Sequence, residues 1–134
     1  MKKTIKILSL ALVAVMAVAM LVACGPASDY KKAEKALKDN KYAVVTVDNK
    51  LALGVTTALI GAESGDIVAT VVGTNGDEVV NIWYFKDSST AKKYWDKAKE
   101  YGENQKKDKD SDWVVKKSGK MIYFGTKQAV KDAK

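Results

Sequence analysis

The side chains able to do chemistry in this chain are few. It contains one cysteine, Cys24, no histidine, and 23 basic residues that are all lysine. Without histidine, the commonest general base and metal ligand is missing. Catalysis would have to rely on carboxylates such as Asp66, Asp77 or Glu78, and two of them would need to converge in a cleft with the pKa of one raised. Because no nucleotide-binding or nucleophile motif is present either, the composition disfavours an enzyme and predicts no cofactor.

Three aspartates, Asp108, Asp110 and Asp112, alternate in a polar stretch and resemble the start of a calcium-binding loop. The EF-hand pattern further requires a glycine in the middle of the loop and a glutamate at its end, and both are missing. The mixed charges from Gly102 to Ser111 are typical of a solvated loop. No metal site is therefore expected.

The surroundings of Cys24 indicate another use for its thiol. The chain starts with a cluster of lysines, and the 17 residues from Ile7 to Ala23 are apolar apart from Ser9. This is the order of charge and hydropathy of an export signal. The apolar run lies at the bottom of the range of about 17–25 residues that spans a bilayer. Since Gly25-Pro26 follows at once, instead of the lysines of a stop-transfer signal, the pattern favours a cleaved signal peptide over an uncut transmembrane anchor.

The last four residues of this region, Leu21-Val22-Ala23-Cys24, resemble the lipobox of bacterial prolipoproteins. In that family the cysteine thiol receives a diacylglycerol and the chain is cut just before it. The resemblance implies cleavage between Ala23 and Cys24, lipidation of Cys24, and a protein held on the extracytoplasmic face of the cell membrane. It covers residues 1–24 only. Two or more acyl chains anchor a protein stably, whereas one chain holds it only marginally.

Three segments are expected from this reading: a signal peptide over 1–23, a lipidated N-terminus and short linker over 24–28, and a single α+β domain over 29–134. Removing 1–23 from the 134 residues leaves 111, enough for one domain with a core. The signal holds three of the lysines and no acid, so the net charge falls from +7 to +4. With so small an excess and no arginine, nucleic-acid binding is not expected. The mature part is similar in style to small lipoproteins of unknown activity from Gram-positive bacteria.

Periodicity and turn residues predict alternating helices and strands in the mature chain. The second predicted helix carries Leu51, Val55, Ala58 and Leu59 on one apolar face. The clearest signal is a hairpin around Asn75-Gly76, a pair that suits a type I′ turn. In order, the predicted elements are a helix from Ser28 to about Asn40, a strand from Tyr42 to Val47, a helix from Lys50 to about Ile60, strands Ile67–Val72 and Val79–Phe85, a long helix capped near Asp87, strands Trp113–Lys116 and Met121–Phe124, and a short helix capped by Thr126.

The resulting order, α-β-α-β-β-α-β-β-α, predicts an α+β fold with an antiparallel sheet and helices on one face. Its middle has the βαββαβ order and so resembles the split βαβ core of ferredoxin-like sandwiches, with added terminal elements. This resemblance concerns element order and implies no activity.

One helical layer would leave the other face of the sheet open. Alternation places Asn81, Trp83 and Phe85 on one face of their strand, and Tyr123 lies on a nearby strand. These four residues form the candidate binding surface, with the aromatics as anchors and Asn81 for orientation. Three explanations for the apolar face stay open: extra helices cover it, two copies pack through it, or it binds an envelope protein or small ligand. Aromatic residues of this kind are also commonly plain core.

The sequence thus predicts a lipid-anchored extracytoplasmic protein whose domain binds or scaffolds without catalysis. Two alternatives remain beside it. One is an envelope enzyme or enzyme accessory that uses carboxylates. The other is a structural homodimer that packs through the open sheet face.

Overall fold

A five-stranded antiparallel sheet forms the centre of the protein in the computed structural model, which describes residues 25–106 and 112–134. The strands lie in the order β1-β2-β3-β5-β4. The predicted α+β class and the predicted order of elements are both confirmed. The strand bounds are β1 Ala43–Val47, β2 Ile67–Asn75, β3 Glu78–Phe85, β4 Trp113–Ser118 and β5 Met121–Thr126.

Helices connect and flank these strands: α1 Tyr30–Asp39, α2 Lys50–Ile60, α3 Ser88–Lys93, α4 Trp95–Asn104 and α5 Lys127–Asp132. At three of these helices a short polar side chain accepts from a backbone N–H group of the first turn, whereas no such bond is made at the start of α4 or, contrary to the prediction for Thr126, of α5. Asp29 caps α1, in place of the predicted Ser28, while Asn49 caps α2 and Asp87 caps α3. The predicted long helix is divided into α3 and α4 at Tyr94, whose backbone (φ −100°, ψ 6°) leaves the helical region.

The two hairpins form where the turn residues predict them. Gly76 joins β2 to β3 with φ +59°, a conformation that a glycine adopts without steric cost. In β5, Gly125 (φ +155°) lies so close to β3 that a methyl group there would come within 2.2 Å of the Val79 carbonyl oxygen. Only glycine permits this approach of the two backbones.

Helices cover both faces of the sheet, so the predicted single helical layer is wrong, and of the three explanations the first, that extra helices cover the second face, is confirmed. The first core cluster joins Ala33 and Leu37 of α1 and Ala129 of α5 to one face of the sheet. The second joins Leu53 and Ile60 of α2, with α3 and α4, to the opposite face. The physical reason lies in β3, whose successive side chains point to opposite faces of the sheet. Large apolar side chains lie on both faces, so each face needs its own layer of helices.

The strand order also differs from that of a ferredoxin-like sandwich. There, a helix joins strands that have another strand between them. Here α2 joins β1 and β2, which are direct antiparallel neighbours with Val47 paired to Thr70. On its other side β3 pairs with β5, the second strand of the β4–β5 hairpin. The first strand of that hairpin, β4, therefore forms the edge of the sheet. Identical element order has therefore produced another topology.

Candidate functional site

The predicted aromatic binding surface is part of the core. Trp83 is 2% exposed and Phe85 is fully buried. The Trp83 ring lies 5.5 Å from those of Tyr101 and Phe124, and Phe85 stacks on Tyr94 at 6.4 Å. The layer of α2, α3 and α4 thus covers the face that was expected to be open, so Trp83 and Phe85 cannot contact a partner in the folded protein.

Asn81 and Tyr123, the other two members, lie on opposite faces of the sheet. Asn81 shares the face of Trp83 and is partly buried, and its side-chain oxygen has no hydrogen-bond partner among the described residues. Tyr123 belongs to the first core cluster on the other face, and burial raises the pKa of its hydroxyl. The structure therefore does not bring the four candidate residues together.

The carboxylates proposed for catalysis do not converge either. Asp66 precedes β2, whereas Asp77 and Glu78 lie at its far end, about 30 Å away at ~3.3 Å per residue. The Thr126 hydroxyl donates a hydrogen bond to Glu78. Within residues 25–106 and 112–134 no group of three acidic or cysteine side chains could hold a metal ion. Asp108 and Asp110 lie outside the described residues.

Asp66 is buried and fully engaged in structural contacts. Its carboxylate accepts from the Tyr94 hydroxyl at 2.9 Å and from the Glu63 N–H at 3.0 Å, and pairs with the Lys86 ammonium at 2.9 Å. The hydrogen bond to Lys86 is the main cause that lowers the pKa of Asp66 to about 2, followed by that from Glu63. This carboxylate is held ionised and ties the loop before β2 to β3 and α3.

The predicted lipidation site Cys24, the cleavage residue Ala23 and the signal peptide lie outside the described residues, but the next residue does not. A methyl group added at Gly25 would lie 3.1 Å from the Tyr123 hydroxyl oxygen, and Pro26 is buried. Ala27 donates its N–H to Ala133 at 2.9 Å, and its carbonyl accepts from the Tyr84 hydroxyl at 2.7 Å. Residues 25–27 are therefore part of the packed domain, not of the linker predicted over 24–28.

This packing places the start of the domain at one end of the sheet. A groove of about 420 Å³ separates Gly25 and Pro26 from the β4–β5 turn, Ser118 to Met121. The same turn reaches β3, since the Phe85 N–H donates to the Lys120 carbonyl at 2.8 Å. We call this the Gly25 end of the sheet; it is formed by Val47, Ile67, Phe85, Ser118 and Met121.

An exposed apolar stripe lies on α2, which begins at the Gly25 end. We define the α2 stripe as Leu51, Val55 and Leu59, whose exposed fractions are 93%, 72% and 49%. The sequence places these residues on one face, but the helix packs through the opposite one, where Leu53, Thr57 and Ile60 are buried. Periodicity could not choose between the faces because both are apolar. The sequence signal for an exposed apolar face was that α2 carries no charged residue after Lys50, because a helix without charges exposes apolar side chains whichever face it packs through.

No helix within residues 25–106 and 112–134 has both the length and the apolar character needed to cross a bilayer. Comparison with known proteins finds no matching family model, no matching curated protein and no matching solved structure.

Proposed function

We propose that this protein is a lipid-anchored extracytoplasmic lipoprotein whose domain serves as a non-catalytic binding or scaffolding module at the membrane surface. The sequence Leu21-Val22-Ala23-Cys24, at the end of a basic and apolar leader, supports the anchor. The observation that carries the rest is the packing of Gly25, Pro26 and Ala27 onto the domain directly after that cysteine.

The missing linker has a mechanical consequence. Consecutive Cα atoms are about 3.8 Å apart, so a lipidated Cys24 holds the Gly25 end within a few ångströms of the lipid headgroups. A flexible tether would let the domain rotate and move away from the surface. Attachment without a tether gives the domain a restricted orientation, which is useful for presenting a binding surface at a fixed height.

A recognition role is supported by the carboxylates, which are separated from each other and, at Asp66, engaged in structural contacts. Asp66 is ionised in an ion pair with Lys86, and Asp77 lies at the opposite end of the sheet. A general acid needs a carboxyl whose pKa is raised towards the working pH, whereas the pKa of Asp66 is lowered to about 2. We therefore assign the protein to surface recognition. Capture from native membranes would identify its partner.

Replacement of the anchor residue tests the proposal. In a bacterial host that processes lipoproteins, Cys24→Ser should accumulate as a larger precursor that no longer incorporates radiolabelled palmitate. Ser28→Ala is the matched control; its side chain is exposed and outside the lipobox, so it should be processed and labelled normally. If Cys24→Ser matures to the same size as the parent protein, the lipoprotein assignment is wrong.

A further inference from the structure

We propose that the α2 stripe docks into the surface of the lipid bilayer and forms a second, non-covalent membrane contact. This inference rests on the proposed lipid anchor at Cys24. The ligand class is the apolar boundary between lipid headgroups and acyl chains, which amphipathic helices occupy with their apolar side.

The composition of α2 shows that its exposed side is unsuited to water. A solvated helix face normally carries charged and polar residues, and α1 follows this rule with Lys31, Lys35 and Lys38 exposed. On α2 the exposed residues after Lys50 are all small or apolar: Leu51, Ala52, Gly54, Val55, Ala58 and Leu59. Leu51 has the largest exposed fraction of the α2 stripe, 93%. Such a face calls for an apolar partner.

The topology indicates that this partner is the membrane. Asn49, the cap of α2, comes two residues after Val47, and the loop of residues 61–66 returns the chain to Ile67. Both connections of α2 are therefore made at the Gly25 end. The Tyr30 hydroxyl donates to Asp48 at 3.2 Å, which ties the first residue of α1 to the entry of α2. Gly25 lies against Tyr123 on the face of the sheet opposite to α2, but a lipid on Cys24 would bring this shared end of the sheet, and with it the start of the α2 stripe, to the membrane surface.

The charges at this end favour an apolar contact over an electrostatic one. Lys50 is the one charged residue of α2, and at the Gly25 end the acidic residues Asp48, Glu63 and Asp66 balance the basic residues Lys50, Lys86 and Lys120. Attraction to anionic headgroups is thus weak, whereas side-chain burial needs no anionic lipid and resists salt screening. We expect the contact to form equally on phosphatidylcholine vesicles at low and high salt.

Depth-sensitive labelling of the intact lipoprotein tests the contact. Once Cys24 is acylated, a cysteine introduced by Val55→Cys is the one reactive thiol of the chain. We would attach the fluorophore NBD there, reconstitute the protein in phosphatidylcholine vesicles, and measure quenching by spin labels on the lipid acyl chains. Thr74→Cys, exposed at the other end of β2, is the matched control. Intact mass and resistance of Cys24 to thiol reagents establish acylation first, so a failed anchor is distinguished from a failed docking.

The proposal predicts that lipid-borne spin labels quench the probe at position 55 at least threefold more strongly than the probe at position 74. It also predicts that the quenching is unchanged at high salt. Two results would overturn it in an acylated protein. The first is a probe at position 55 that water-soluble quenchers reach as easily as the probe at position 74. The second is protection of position 55 that increases with protein density and shows no lipid quenching, which would make a second copy the occupant of the α2 stripe.

Discussion

At the residue scale, the structure explains the role of the buried Asp66 carboxylate, whose pKa is lowered. Asp66 connects three elements through one carboxylate: the loop before β2 through the Glu63 N–H, the end of β3 through Lys86, and Tyr94 between α3 and α4. Removing one partner of a buried, charged hydrogen-bond network leaves the others unsatisfied. The role of Asp66 is therefore to stabilise the fold.

Replacing this carboxylate should weaken folding at neutral pH. Asp66→Asn is expected to lower the free energy of unfolding by about 1–3 kcal/mol, because a neutral amide replaces the ionised acceptor of the Tyr94 hydroxyl and the Glu63 N–H, whereas the half-exposed Lys86 is solvated by water and contributes little. Urea denaturation followed by tryptophan fluorescence measures the effect. Asp77→Asn in the exposed β2–β3 turn is the control and should change the value by less than about 0.5 kcal/mol.

The pH dependence of stability should come from the same group. Its pKa is about 2 in the folded protein, below the value of 3.8 expected for a free aspartate. A lowered pKa contributes stability that is present above the unfolded value and is lost as the pH falls through the folded value. The parent protein should therefore lose stability between about pH 4 and pH 2, and Asp66→Asn should lose less over this range. Equal losses in both proteins would contradict the assignment.

At the element scale, α2 shows where prediction from sequence reaches its limit. Its bounds follow from the Asn49 cap and the glycine after Ile60, and they are confirmed. Its packing face does not follow from the sequence, since the predicted apolar face is exposed and the helix packs through Leu53, Thr57 and Ile60. The choice depends on which side chains fit against Ile67 and Phe85 of the sheet, and that information is tertiary. For the same reason the burial of Trp83 could not be predicted from its strand alone.

The assignment of faces on α2 predicts opposite effects for two neighbouring leucines. Leu53→Ala should lower the free energy of unfolding by about 2–5 kcal/mol, because it leaves a cavity in the second core cluster. Leu51→Ala should change it by less than about 0.5 kcal/mol, because that side chain is in contact with solvent. Thermal unfolding of both variants, in detergent and without vesicles, measures the difference. Equal destabilisation would mean that the helix packs through the other face.

At the scale of the whole molecule, the central feature is a domain joined to its proposed anchor without a linker. The Gly25 end should lie at the headgroups, and the β2–β3 turn should lie one sheet length away, about 30 Å for the nine residues of β2. Energy transfer from probes at Lys120→Cys and Asn75→Cys to an acceptor in the bilayer should give the shorter distance for position 120. Inserting ten Gly and Ser residues between Cys24 and Gly25 should reduce the difference, because such a linker spans about 18 Å and rotates freely, so that only the α2 contact still holds the orientation.

The proposed orientation of the domain depends on Cys24 being the acylated first residue of the mature protein. Intact-mass and N-terminal peptide measurements on protein extracted from membranes of a lipoprotein-processing bacterium test this state of Cys24 most directly. We predict a chain that starts at Cys24, lacks residues 1–23, and carries the added mass of a diacylglycerol on the first peptide. A chain that retains residues 1–23, or a first peptide with a free Cys24 thiol, would contradict lipidation of Cys24.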